Sequence, residues 1–336
     1  MVVPGADAAV TNGSIRLPPE GRRAEKSRPI DQATLEAAHC WETDDRVPGP
    51  AELTDFRRAL RLQQAQWRVR HGHPIGTQPI VPKAGKPQRP VGSRMPLAYA
   101  QQTAANFVTP AAVEAARARA DTPERHQTFD HQRFWADLLS SPSLAVNLFG
   151  DLAADPARAD KVIHMLWPDA PGHVVDVRFA HSPGRFDPTY LNSLRAFDAA
   201  VFLDTGSVIA VDINYHDWLK PEIPRPENVP RYLEVARRSR AFARGAAETL
   251  KERGPLAVMW LEHLLLLSML QHPSGKFTWG RYAVVYPARN TSLADGTKRY
   301  VQLLADNTTF AAVTLEQIVR ALPLNARSTV RDRYLA

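Results

Sequence analysis

The chain has 336 residues, a formal net charge of +7 and a sequence pI of about 9.7, with 44% hydrophobic residues. That is enough apolar material for one sizeable core, and the charge favours polyanionic partners, nucleic acid being the commonest. The single cysteine, Cys40, excludes a disulfide framework within one chain and a cysteine-type zinc site.

The N-terminus, MVVPGADAAV, lacks the basic and long apolar regions of a secretory signal. Together with the lone cysteine this leads us to expect a cytoplasmic protein. Residues 1–50 are rich in Pro, Gly, Ala and charge without sustained periodicity, and are expected to be largely disordered. Residues 51–73 place Leu53, Phe56, Leu60, Leu62 and Trp67 among Arg57, Arg58, Arg61, Arg68 and Arg70. This predicts a basic helix, read as a solvated surface helix in preference to a DNA-binding arm. Pro74, Pro79, Pro82, Pro87, Pro90 and Pro96 then mark a linker or extended wrap. The expected organisation is a loose segment over 1–50, a basic helix and Pro-rich linker over 51–107, and an α/β domain over 108–336.

Within that domain, Ser141-Pro142 reads as a helix start, and Leu144, Leu148 and Leu152 share one face of the helix that follows. Asp155-Pro156 opens another. The segment 173–180 (HVVDVRFA) alternates and predicts a strand, as do 197–203 and 208–215 around a tight turn. A long helix is expected over 229–253, carrying Arg231, Arg237, Arg238, Arg240 and Arg244. An apolar helix follows over 255–271. It is too short to span a bilayer, and no membrane partner is expected. A fourth strand over 281–287 and a helix capped by Thr314 and Gln317 complete the reading. Helical crossovers and a tight hairpin together imply a mixed sheet.

The hairpin 197–217 (FDAAVFLDTGSVIAVDINYHD) carries the chemistry. A three-residue loop, Asp204-Thr205-Gly206, puts the glycine where a left-handed backbone is needed and sets the register. Val201 then faces Ile209, Ala199 faces Val211 and Phe197 faces Ile213, making one face apolar. The other face sets Asp198 opposite Asp212, with Asn214 two residues further on. A two- or four-residue loop would make the carboxylates diagonal neighbours instead. Two ionised aspartates across adjacent strands repel, and a hard divalent cation, Mg²⁺ or Mn²⁺, removes the repulsion. The bland alternative is an aspartate at a strand end in solvent. His216 is a weaker candidate for the same site. Tyr215 reads as packing and His263 as a hydrogen-bonded core histidine. No serine-hydrolase elbow, phosphate loop or dinucleotide fingerprint is present.

The order helix, strand, strand with Asp, strand with an acidic-x-x motif, helix, strand resembles the core of the PD-(D/E)XK nuclease superfamily, and more closely a group of bacterial restriction-endonuclease-like proteins. The pieces that carry the resemblance are SSPSLAVNLFGDL (140–152), VRFAHSPGR (177–185), FDAAVFL (197–203), VDINYHD (211–217), the Glu262-His263 helix and RYAVVYPARN (281–290). The resemblance implies a restriction-endonuclease-like α/β core and DNA as partner. It also implies a magnesium-type metal site at Asp198, Asp212 and the carbonyl of Ile213. The motif lysine falls at Asn214, which can orient water but brings no charge. Lys220 or Arg195 could supply the missing cation. The functional expectation is a metal-dependent deoxyribonuclease in which Asp198, Asp212 and Asn214 are catalytic. The alternative is a catalytically inactive nuclease-fold protein that binds nucleic acid or a protein partner. A homodimer stays open.

Overall fold

The structure is a computed structural model and describes residues 30–41, 55–78 and 88–335. In chain order its elements are α1 (Gln32–Ala37), α2 (Asp55–Arg70), β1 (Gly76–Thr77), β2 (Pro90–Val91), α3 (Leu97–Thr103), α4 (Pro110–Asp121), α5 (Ser141–Ala154), α6 (Pro156–Leu166), β3 (Val174–His181), β4 (Phe197–Leu203), β5 (Ser207–Ile213), α7 (Val229–Ser239), α8 (Ala246–Leu250), α9 (Ala257–Leu270), β6 (Trp279–Tyr286), α10 (Thr291–Val301), β7 (Phe310–Thr314), α11 (Leu315–Ala321) and α12 (Leu324–Tyr334). A single turn of π-helix, Gln132–Ala136, precedes α5.

One mixed sheet, ordered β3-β4-β5-β6-β7, organises the chain. β3, β4 and β5 form an antiparallel meander, whereas β5-β6 and β6-β7 are parallel. The parallel pairs need crossovers, supplied by α7 to α9 and by α10. Both faces are covered. Ala199, Val201, Ile209, Val211, Ala283 and Val285 pack with Leu144, Leu148 and Leu152 of α5. Ala200, Phe202, Val208, Ala210, Tyr282 and Val284 pack on the opposite face with Leu261, Leu264 and Leu265 of α9. The hairpin therefore has two apolar faces, and the aspartates occupy only its open end.

The helix starts follow local chemistry. Ser140, one residue earlier than expected, caps α5 by accepting from the Ser143 N–H, and Pro142 sits in the first turn. Asp155 caps α6, and Thr314 with Gln317 forms a complete capping box on α11. The expected helix over 229–253 is broken. α7 ends where Arg240 turns left-handed at φ +57°, and α8 starts only after Gly245 at φ +82°. Arg231 and Arg238 both pair with Glu234.

The basic helix exists as α2, but it is not a solvated face. Arg57, Arg61 and Arg68 are buried along with Leu60 and Trp67. Arg57 Nε donates to the carbonyl of His216, and Gln64 Nε2 donates to Tyr215 Oη at 2.9 Å. Arginines can bury their stems while their guanidinium groups satisfy carbonyls, which a charge count cannot foresee. Within the segment expected to be loose, residues 30–41 are described and contain α1, whose Leu35 is buried together with Cys40 and with Ala65 of α2. The rest of 1–50 lies outside the described residues, as do Pro79, Pro82 and Pro87. Pro90 starts β2, which pairs with β1.

Candidate active site

The three-residue loop sets the register found. Leu203 pairs with Ser207, Val201 with Ile209 and Ala199 with Val211. Gly206 takes φ +74°, and a Cβ there would stand 2.6 Å from the carbonyl oxygen of Lys276. The next rung in this register would join Phe197 to Ile213, but it does not form. The Ile213 N–H donates instead to Asp198 Oδ2 at 2.8 Å. Phe197, expected on the same face as Ile213, packs with the α9-side core. A side-chain carboxylate thus replaces a backbone acceptor, and the hairpin opens at the point where the two aspartates meet.

Asp212 shares the parity of Ala210 and lies on the α9 side of the sheet, beside Tyr282. The alternation of β4 breaks between Phe197 and Ala199, and Asp198 is placed by its bond to the Ile213 N–H and by the Asp212 charge acting on it. Asp212 Oδ2 accepts from Asn214 Nδ2 at 2.9 Å and from Tyr282 Oη at 3.3 Å. Among the described residues, Oδ1 of each aspartate makes no hydrogen bond. Burial and the neighbouring Asp212 charge push the Asp198 carboxyl well above the usual carboxylate range. Burial also raises Asp212, while the Asn214 amide offsets part of that rise. The main chain of β5 is equally specific. Asn214 N–H donates to the Val285 carbonyl in β6, so the next residue back, Ile213, turns its polar groups the other way. Since the N–H and C=O of a strand residue leave on the same side, the Ile213 carbonyl faces the Asp198 side with its N–H.

Of the residues singled out in the sequence, Asp198, Asp212, Ile213 and Asn214 are brought together. His216 is buried beside Arg57 and Arg61, and its Nε2 has no hydrogen-bond partner among the described residues. Burial and those cations drive the imidazole well below its ordinary value, leaving a neutral ring. Tyr215 packs edge-on against Tyr334, with ring centres 5.2 Å apart. His263 bonds Tyr300 and Thr309, as a core histidine would. Arg195 is bound by Glu262, at 2.7 Å, and by Glu222.

Three further residues belong to this neighbourhood. Glu262, on α9, is buried, with Oε2 unpartnered among the described residues. Burial raises its carboxyl to about 7, with Arg195 pulling down and Asp212 pushing up. The signal available in the sequence was one carboxylate inside an otherwise apolar helix. Asp217 accepts from Ser141 Oγ at 3.0 Å, and its charge acts on both aspartates. Arg133, exposed on the π-turn, acts on Asp198 and on Lys220. Nothing in its local sequence marked it.

A family model described as the PD-(D/E)XK nuclease superfamily matches residues 43–336. The chain belongs to the PD-(D/E)XK nuclease superfamily. No curated protein and no solved structure matches it. The antiparallel meander followed by parallel strands agrees with that PD-(D/E)XK membership, which supports nuclease-like chemistry and contact with nucleic acid in general terms. PD-(D/E)XK nucleases generally use divalent metal ions. Among the described residues, no three His, Cys, Asp or Glu side chains converge on one point as a ready-made metal cage. The donor set offered is two carboxylates with unbonded oxygens and one main-chain carbonyl. These are hard oxygen donors, which fit a cation that keeps several waters. No helix among the described residues is long and apolar enough to cross a membrane.

Proposed function

We propose that the protein hydrolyses DNA phosphodiester bonds with a divalent cation, Mg²⁺ or Mn²⁺, held by Asp198, Asp212 and the Ile213 carbonyl. The observation that carries this reading is the broken rung. Asp198 takes the Ile213 N–H, so two like-charged, desolvated carboxylates stand at the opened end of one hairpin, beside a carbonyl turned the same way. Bound there, the cation would polarise a phosphoryl oxygen and favour ionisation of water.

The chain's own residues divide the remaining work. Asn214 holds Asp212 through its amide nitrogen, which leaves its carbonyl oxygen as an acceptor to orient the attacking water. It supplies no positive charge, and loss of one such electrostatic donor typically costs on the order of 10²–10³ in rate. Arg133 and Lys220 are the cations placed to offset that loss. The Arg133 charge acts on Asp198, and the Asp217 charge acts on Lys220. Arg195 is not available for this, because Glu222 and Glu262 hold it.

A second reading, a nuclease fold that binds nucleic acid or a protein partner without cutting, is favoured by Asn214, whose amide is occupied by Asp212 in place of a lysine. Supercoiled plasmid incubated with Mg²⁺ or Mn²⁺ separates the two. The hydrolytic reading expects cleavage by the wild type, loss of at least about 10²-fold in Asp198→Ala, and a smaller loss in Arg133→Ala. Silence from the wild type with cleavage by Asn214→Lys would establish the second reading. Cleavage that survives Asp198→Ala would place the chemistry elsewhere.

A further inference from the structure

A cavity of about 600 Å³ lies away from the aspartate pair, between the loop that follows α4 and the loop that leaves β3. Its floor is rigidly built. Glu124 Oε1 lies 2.7 Å from His181 Nδ1, and Glu124 Oε2 accepts from the Ser182 N–H at 2.9 Å and from Arg185. These bonds consume both oxygens of the acid, so its negative charge is neutralised inside the wall. Asp187, the other acid of the lining, accepts from the Thr189 N–H and hydroxyl through Oδ1, and the remaining groups are of another kind. Phe186, 45% exposed, meets the His126 ring edge-on, with centres 5.6 Å apart. Both residues hold left-handed backbone, at φ +55° and +60°, as does Ala180 just before His181. That conformation is costly for residues with a side chain and presents the two rings at the rim. Arg125 is exposed and makes no ion pair among the described residues, while Arg178 reaches the cavity from β3. Ser182 lines the cavity, and its buried Oγ has no hydrogen-bond partner among the described residues. Ser182 Oγ is thus a hydroxyl beside the cavity with bonding capacity to spare.

Aromatic edges and faces, a free guanidinium and an unsatisfied hydroxyl together match a nucleotide with a polar base and a phosphate. Register places the cavity. His181 pairs with Phe197, the residue before Asp198, so it opens one strand away from the aspartate pair at the same end of the sheet. We propose that this cavity captures an unpaired nucleotide of a single-stranded segment, its base against Phe186 and His126, its phosphate on Arg125 and a base edge on Ser182. The inference rests on the nucleic-acid reading of the aspartate site and extends it, by naming a strand that is unpaired next to the cleavage point.

The test is binding of the full chain, in EDTA so that no cleavage occurs, to three fluorescent probes. These are a 15-mer of thymidylate, the same sugar-phosphate chain lacking bases, and a duplex. The expected result is that the wild type prefers the thymidylate strand over the abasic one by about five- to 150-fold, the range for one stacked base. Phe186→Ala should abolish that preference while changing duplex and abasic binding less than twofold. Arg125→Ala should weaken both single strands alike. Because the abasic probe alters the ligand and not the protein, a folding defect cannot imitate this pattern. Equal binding of the two single strands by the wild type, or a base preference that survives Phe186→Ala, would overturn the proposal. If it falls this way while plasmid is still cut, the hydrolytic reading stands. If the base preference appears and plasmid is never cut, that reading falls and this one stands.

Discussion

Glu262→Gln tests the electrostatics of the site without touching the aspartates. Glu262 is buried on α9, one oxygen held by Arg195 and the other unpartnered among the described residues. Its carboxyl stands at about 7 against an ordinary 4.5, because burial and the Asp212 charge outweigh the pull of Arg195. At about 1.4 kcal/mol per pH unit, that rise corresponds to about 3 kcal/mol. Below pH 4.5 the acid is protonated in both folded and unfolded chains and contributes no pH dependence. Between 4.5 and 7 the unfolded chain gives up its proton while the folded one keeps it, so stability falls as pH rises. Above 7 the whole penalty is present and constant. Glutamine carries no such penalty. Urea unfolding in EDTA, followed at pH 4.5 and pH 8, should therefore show Glu262→Gln gaining about 3 kcal/mol on the wild type between the two pH values. Parallel stability curves, with the difference constant to within about 0.5 kcal/mol, would mean that Arg195 fully satisfies the carboxylate and that the reasoning about its desolvation is wrong.

Three other outcomes follow from the same structure. Glu124 has the opposite sign. Burial pushes its carboxyl up, but His181, the Ser182 N–H and Arg185 outweigh it and hold it at about 2. Glu124→Gln should cost up to about 3 kcal/mol at pH 7, with the gap to the wild type closing as pH falls from 4.5 toward 2 in acid titrations followed by circular dichroism. Gly206→Ala must adopt φ +74° and bring a Cβ to 2.6 Å from the Lys276 carbonyl oxygen. We expect a loss of about 2 kcal/mol or more in thermal unfolding, and an unchanged melting temperature would refute the loop geometry. Arg333 is fully buried, donates to the Asn106 carbonyl at 2.6 Å and to Gln64 Oε1 at 3.2 Å, and lies 4.4 Å from the centre of the Trp67 ring. Arg333→Leu strands those acceptors and should cost about 2–4 kcal/mol by denaturant unfolding, loosening α2 from α12.

Local chemistry made much of the core legible. Gly206 favoured a three-residue loop over the two- and four-residue alternatives, and that loop set which residues of β4 and β5 meet. The alternation of small and branched residues then placed Ala199 against Val211. Asp155, Thr314 and Gln317 announced helix starts because a cap needs only its own first turn. The resemblance carried by short pieces between 140 and 290 rested on their order, which the sheet preserves. All of these are properties of neighbours in sequence, or of two strands joined by one tight turn.

What tertiary structure decided lies at longer range. β7 and α10 passed unnoticed, since Phe310–Thr314 becomes a strand only by lying beside Tyr282–Tyr286. The arginines of α2 read as a wet surface until the carbonyls of Gly92 and His216, far along the chain, received them. The surroundings of the aspartate pair were equally hidden. Glu262 comes from a different helix, Asp217 is held by Ser141, and Arg133 rides on a π-turn well before either strand. A sequence states which charges exist and which of them share a turn or a rung. Only the packed chain settles how far each is stripped of water and which other charges it must face, because desolvation and Coulomb energy depend on distance through space.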